Sequence, residues 1–234
     1  MTGRTLEYFG TFVGLTKDHP AVARAVDWLL DHQEADGSWY GRWGIYYVYG
    51  TWAAVTGLSA VGVPADHPAM QKAVHWLLSI QNADGGWGES CKSDGAKTYV
   101  TLGASTPVHT AWALDALIAA AERPTAEMKA GFRTLFRLLH HPNWTASYPV
   151  GQGMAGAFYI HYHATATFFR CWRSPITSKS SGRLWISQPS VRGRDGTLPC
   201  QSAATFHCRR ETKCVGTNMR FSLSLTEKPD NCRD

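Results

Sequence analysis

A stretch of 15 residues recurs 48 positions further on, and this recurrence limits the fold more than any other feature of the chain. Residues 25–39 (AVDWLLDHQEADGSW) and 73–87 (AVHWLLSIQNADGGW) agree at 10 of 15 positions. A period in this range marks an array of supersecondary units, each too small to bury its own apolar face. Within the first copy Val26, Leu29 and Leu30 fall at helical spacing, and Val74, Leu77 and Ile80 do so in the second. Both copies therefore predict an amphipathic helix. Asp36-Gly37 and Asp84-Gly85 then predict its end, because glycine accepts the left-handed backbone that a helix terminus or tight turn requires.

A second kind of segment lies between the copies. Residues 47–62 (YVYGTWAAVTGLSAVG) carry no charge and are rich in small side chains, which predicts a helix buried on most sides. Residues 106–122 (TPVHTAWALDALIAAAE) follow the second copy in the same way, Thr110-Ala111-Trp112-Ala113 echoing Gly50-Thr51-Trp52-Ala53. A third amphipathic helix is predicted at 126–140, and a third apolar segment, expected to be an inner helix, begins at Gly156. Amphipathic and buried helices that alternate in this way predict an all-α fold, a partial α/α toroid with an outer and an inner ring. Six or seven helices are too few to close the ring.

Composition divides the chain. Through Trp172 there are 12 Lys and Arg against 13 Asp and Glu, and from Arg173 onward 11 against 5. Cys91 stands alone early, whereas Cys171, Cys200, Cys208, Cys214 and Cys232 crowd the end. The first ten residues lack a basic segment followed by an apolar run, and no long uncharged apolar stretch occurs, so neither a signal peptide nor a spanning helix is predicted.

The strings Gln33-Glu34-Ala35-Asp36-Gly37-Ser38-Trp39 and Gln81-Asn82-Ala83-Asp84-Gly85-Gly86-Trp87 match the Gln-x-x-x-Gly-x-Trp repeat of triterpene cyclases. Gly41-Arg42-Trp43-Gly44, Tyr49-Gly50-Thr51, Gly86-Trp87-Gly88-Glu89, Gly103-Ala104-Ser105-Thr106-Pro107 and Phe158-Tyr159 follow in that family's order. Residues 2–163 thus resemble the C-terminal part of squalene-hopene cyclases, class II triterpene cyclases whose helices form an α/α barrel. Glu89-Ser90-Cys91-Lys92-Ser93-Asp94 and Tyr148-Pro149-Val150-Gly151-Gln152-Gly153 look closer to the sporulenol-type branch. The resemblance assigns Gln33, Asp36, Gly37, Trp39, Gln81, Asp84, Gly85 and Trp87 a structural role, the Gln amide bonding backbone groups at helix ends while packing on the Trp ring. A third copy at His141-Pro142-Asn143-Trp144 has lost its Gln and Asp-Gly.

The family is one of isomerases that fold a linear polyprene such as squalene, protonate a terminal double bond with an aspartic acid and guide the carbocations to a polycycle, as in hopanoid formation. The resemblance implies no metal and no organic cofactor. The family's acid stands in an Asp-x-Asp-Asp string that does not occur in these residues, so no catalytic residue is assigned. The chain is expected to be an inactive C-terminal fragment, with an upstream cyclase fragment as one possible partner. Aromatic faces stabilise passing cations by about 0.5–2 kcal/mol each. By resemblance Trp43, Tyr49, Phe158 and Tyr162 supply such faces, Ile160 shapes the wall between the last two, and Met154 replaces an aromatic of hopene formers. Tyr49 is further expected to set hydrogen bonding around the acid. The resemblance also implies a cytoplasmic protein held peripherally on the inner face of the cell membrane.

Rival readings are a prenyltransferase-like α/α subunit, with Cys91 and Asp94 as zinc candidates, and a non-catalytic helical interaction module. His109, His161 and His163 do not make a metal site, since His161 and His163 would point to different sides of a helix. Cys200, His207, Cys208 and Cys214 lack the paired spacing of a zinc knuckle, and no motif supports nucleic-acid binding. Residues 164–234 read instead as out-of-frame translation forming a low-order basic tail. Shifted by one base, the codons of residues 164–173 permit Tyr-Arg-x-Phe-Leu-Pro-Val-Leu-Ala-Leu, close to the family's ending at this point.

Overall fold

The computed structural model describes residues 1–121, 123–140, 148–154 and 158–161, together with the backbone of 225–226. All belong to one unit formed by Met1–Arg170 and Ser224–Asp234. Its helices are α1 (Thr2–Tyr8), continued by a π-helical turn over Phe9–Val13, α2 (Pro20–Asp31), α3 (Tyr47–Ala60), α4 (Pro68–Ser79), the single turn α5 (Ser93–Ala96), α6 (Pro107–Ala120) and α7 (Ala126–Leu139). Helix α1 and its π-helical continuation have no counterpart among the sequence expectations.

Two layers result, as the alternation of patterns predicts. Helices α1, α3 and α6 pack side by side as the inner row, while α2, α4 and α7 lie outside them. Ten of the residues of α3 are buried, including every one from Ala53 to Leu58, and α6 is buried along almost its whole length. The outer helices bury one stripe each: Val22, Val26 and Leu29 in α2, and Met128, Gly131, Thr134 and Leu135 in α7. In α4 the buried stripe is Ala69, Met70, Ala73, Trp76 and Leu77. Val74 and Ile80, expected in the core, are only half-buried and pack at its margin.

Close approach of the inner helices depends on small residues. A Cβ on Gly3 would fall 2.1 Å from the Ala53 carbonyl oxygen, and one on Gly57 would fall 2.2 Å from that of Gly3. The ends of the helices are closed locally. Thr106 and Thr125 cap α6 and α7, and the imidazoles of His19 and His67 accept from the second residue of α2 and α4, each of which starts with proline.

The repeat itself is a helix-end lock. Trp39 Nε1 donates to Leu29 O at 2.7 Å, which also accepts His32 N at 3.2 Å, and Trp87 Nε1 donates to Leu77 O at 2.8 Å, so the indoles serve carbonyls of the last helical turn. Gln33 Nε2 donates to Gly37 O and Ala69 O, both at 2.9 Å, and Gln81 Nε2 to Gly85 O and Glu127 O at 2.7 and 3.0 Å. The glutamines thus tie each turn to the next outer helix, while the indoles serve the helix ends. Asp36 and Asp84 accept backbone N–H groups two residues on, and Gly37 and Gly85 have φ of +98° and +87°.

One expectation is corrected. The apolar segment predicted as an inner helix after Gly156 is, over Phe158–Ile160, a strand (β2) paired antiparallel with β1 (Gly151–Met154). Aromatic and β-branched side chains favour that conformation, and Gly151-Gln152-Gly153 offers a neighbouring backbone to pair with. Leu225–Thr226 (β3) adds to the other edge of β2. Trp144, His163 and the remainder of the basic tail lie outside the described residues.

Candidate functional site

The chain leaving Trp39 runs through Gly41 to Tyr49 and enters α3. Ile45 N donates to Val150 O at 3.0 Å, Gln152 N donates to Trp43 O at 3.0 Å, and Gly44 forms a bridge with Gly151. Trp43–Ile45 therefore lies along the free edge of β1, and the hairpin carries Met154 and Phe158 beside it. Trp43 remains 46% exposed and Met154 63%. Phe158 is half-buried over Gly153, where a Cβ would fall 1.9 Å from its ring. Tyr49 is half-buried, its ring 5.1 Å from Trp112 and 5.7 Å from Trp52. Gly41 and Gly44 make room for that ring, since a Cβ on either would come within 2.5 Å of it. Ile160 is buried in β2, and Tyr162 lies outside the described residues.

The run between Trp43 and Tyr49 is fixed from beneath. The carboxyl group of Glu89, fully buried, accepts the backbone N–H groups of Tyr46, Tyr47 and Val48 at 2.9, 3.0 and 2.9 Å. Burial pushes its pKa up to about 7, against the opposing pull of those three donors and the Ser93 hydroxyl. His109, also fully buried, faces Ile45 O with Nε2 at 3.0 Å and Thr106 Oγ1 with Nδ1 at 2.8 Å. A carbonyl can only accept, so Nε2 carries the proton and the Thr106 hydroxyl donates to Nδ1. Burial lowers this imidazole to about 4, which keeps it neutral.

Asp94 joins the loop, the strand and the turn. It accepts from Tyr40 Oη at 2.7 Å, Lys97 Nζ at 3.0 Å and Gln152 Nε2 at 3.2 Å. Burial raises its carboxyl, but these donors more than offset that and hold it below the usual carboxylate range; the Tyr40 phenol is pushed up in turn, by burial and by this bond. Between the inner helices Trp52 Nε1 donates to Asp115 Oδ2 at 2.7 Å, and burial lifts Asp115 to about 6.

The structure thus places Trp43 and Phe158 on the two backbones that flank β1, Met154 at the end of β1, and Tyr49 on α3 against Gly41 and Gly44. Sequence reasoning missed the supports: Glu89 entered only as a family letter, Asp94 as a family letter and a zinc candidate, and His109 only as a discarded metal ligand. A cue was present for two of them. Glu89 is the lone charge between Asp84 and Lys92, and His109 interrupts an otherwise apolar helix start. Among the described residues no three His, Cys, Asp or Glu side chains converge as a metal site would require.

Comparison with known proteins bears on the same residues. The family model of the squalene-hopene cyclase C-terminal domain matches residues 1–175. Sporulenol synthase of Bacillus subtilis is 55% identical over 164 residues, which cover 70% of this chain and 26% of that protein. A squalene–hopene cyclase of Alicyclobacillus acidocaldarius is 51% identical over 163 residues, 69% of this chain and 26% of that protein. The chain therefore spans about a quarter of the length of these relatives. Among solved structures, ent-copalyl diphosphate synthase from Streptomyces platensis aligns with a TM-score of 0.49 and 25% identity, over 64% of this chain and 28% of that one. From the matched domain and these identities, the chain belongs to the squalene-hopene cyclase C-terminal domain family.

Proposed function

We propose that this chain supplies the C-terminal wall of a cavity in which a linear polyprenoid such as squalene is cyclised, an isomerisation begun by an acid that these 234 residues do not contain. The observation that carries this reading is the small sheet in which Trp43–Ile45, β1 and β2 lie side by side. It holds large aromatic side chains partly uncovered on a backbone whose polar groups are committed elsewhere. Such faces suit a passing carbocation, because a π cloud attracts positive charge without a lone pair to trap it. Met154, in the same sheet, is polarizable but offers no ring face, which favours a product pattern different from that of members with an aromatic there.

The test is to incubate the purified chain with squalene, alone and with the separately expressed remainder of Bacillus subtilis sporulenol synthase. No polycyclic product is expected from the chain alone, and some is expected from the mixture, lost in Trp43→Ala. Ring formation by the chain alone, or its persistence at full yield in Trp43→Ala, overturns the reading. We also propose, from the family resemblance and the lipid character of such a substrate, that the working protein sits at the cytoplasmic face of the cell membrane; recovery of the protein wholly in the soluble fraction after gentle lysis counts against it.

We further propose that residues 164–234 arise from a single-base shift. The change in charge and cysteine content and the family-like shifted frame support it. Resequencing that finds the same unbroken frame in close relatives would remove it.

A further inference from the structure

We infer that Glu89 and His109 are positioning residues that hold Trp43 and Tyr49 in place, an inference that rests on the cavity-wall reading above. The geometry between those two aromatics is over-determined. Ile45 uses its N–H on Val150 and its carbonyl on His109; Tyr46 uses its N–H on Glu89 and its carbonyl on Gly41; Tyr47 and Val48 give their N–H groups to Glu89. Neither rotation nor sliding of this run is open without breaking a buried bond.

The origin of these partners argues for placement over stability. Each of the other four long helices is capped by a side chain of its own N-cap residue, His19, His67, Thr106 or Thr125. Helix α3 alone among them has an N-cap, Tyr46, whose side chain makes no capping bond. Its open N–H groups are served in trans by a glutamate 41–43 residues away, delivered by the loop that follows Trp87. A local Ser or Thr would satisfy one such donor at much lower desolvation cost than a fully buried carboxyl. What the distant carboxyl adds is three donors gathered on one group, and so a fixed orientation of the whole first turn. His109 completes it from α6, locked by Thr106 into the tautomer that donates to Ile45. Both groups come from the second repeat and act on the segment that follows the first. The placement of Trp43 and Tyr49 is therefore set by the docking of one repeat on the other.

The experiment uses the full chain and needs no cyclisation. Labelling with 5-fluorotryptophan gives each indole a fluorine line, and Trp43→Phe and Trp28→Phe identify two of them. At about pH 8, where Glu89 is charged, Glu89→Gln must turn an amide N–H₂ toward at least one N–H donor. The Trp43 line is expected to shift or split while the Trp28 line, from α2, stacked on His32, stays. Amide exchange at Tyr46, Tyr47 and Val48 should match the α6 core in the unchanged chain, and rise roughly 100-fold above it in Glu89→Gln, as expected when charged hydrogen bonds are lost locally. Glu89→Asp, which keeps the charge on a shorter arm, should recover part of that protection, and His109→Gln should move the Trp43 line with a smaller rise. Fast exchange at Tyr46–Val48 in the unchanged chain overturns the inference even where a variant fails to fold. So does an unmoved Trp43 line, or a rise in exchange equal across α6 and Tyr46–Val48. Because none of these readouts involves a polyprenoid, failure of the squalene experiment leaves them intact and is told apart from failure of the clamp.

Discussion

Trp39 donates its indole N–H to the main-chain oxygen of Leu29 at 2.7 Å, ten residues back, and so closes α2 with a side chain that is itself part of the core. Trp87 repeats the bond on Leu77. Replacing either Trp by Phe keeps most of the apolar area. Trp87→Phe takes the indole donor from Leu77 O, and a loss of about 1–3 kcal/mol is expected; Trp39→Phe leaves Leu29 O accepting from His32 N at 3.2 Å, and a smaller loss of about 0.5–1.5 kcal/mol is expected. Urea unfolding of the two variants measures it; an unchanged midpoint would show that the bond contributes nothing.

The buried pair near α3 makes a prediction about pH in which two effects cancel. Glu89 rises from 4.5 to about 7 and His109 falls from 6.5 to about 4 on folding. Between about pH 4.5 and 6.5 the folded protein keeps Glu89 protonated and His109 neutral, while the unfolded chain has the carboxylate and the imidazolium. Glu89 then binds its proton only when folded, so its contribution to stability falls as pH rises. His109 binds its proton only when unfolded, so its contribution grows as pH rises. Each slope is about 1.4 kcal/mol per pH unit, with opposite sign. Relative to the parent, Glu89→Gln should become steadily more stable with increasing pH across this window, and His109→Gln less stable. Denaturant midpoints at half-unit steps give the slopes, and Asp115, common to all three proteins, drops out of the comparison. Parallel curves would contradict the assignment.

Gly57 predicts a steric effect. Its Cβ position lies 2.2 Å from the Gly3 carbonyl oxygen, so Gly57→Ala must push α1 off α3. Backbone cannot move aside as a side-chain tip can, and the cost should be at least about 1–3 kcal/mol despite alanine's better helix propensity. Gly62, with φ of +88° and nothing near its Cβ position, is the control in which strain arises from the backbone alone. If Gly57→Ala stabilises the protein, α1 and α3 do not pack as described.

Asp94 separates charge from hydrogen bonding. Gln152 Oε1 is buried with no partner, while its Nε2 donates to Asp94. In Asp94→Asn the Gln152 amide can turn over and accept from the new N–H₂, which keeps this bond and leaves the Asn oxygen for Tyr40, while the buried group without a partner becomes the Gln152 N–H₂ in place of its oxygen. Asp94→Asn should therefore cost under about 1 kcal/mol, and Asp94→Ala, which strands both Tyr40 and Gln152, about 2–4 kcal/mol. Thermal melts of the two variants distinguish them; equal losses would mean that the negative charge itself, with Lys97, holds the network.

The amino-acid order determined by itself what depends on near neighbours and on partition from water. The spacing of Val26, Leu29 and Leu30 marks a helix with one wet face. The uncharged run from Tyr47 to Ala60 marks one with almost none, and Asp36-Gly37 marks the stop between them. The same letters, repeated 48 residues on, forecast two layers. Trp43, Tyr49 and Phe158 were legible as an aromatic set through the strings that surround them. Only the tertiary structure decided that Phe158–Ile160 pairs as a strand, that Trp76 is buried in α4, and that the cap of α3 comes from Glu89. A helix period records contacts three and four residues apart, whereas a carboxyl meeting N–H groups 41–43 residues away leaves no periodic trace. Its position is set when the second repeat docks on the first, and so by packing that no single segment contains.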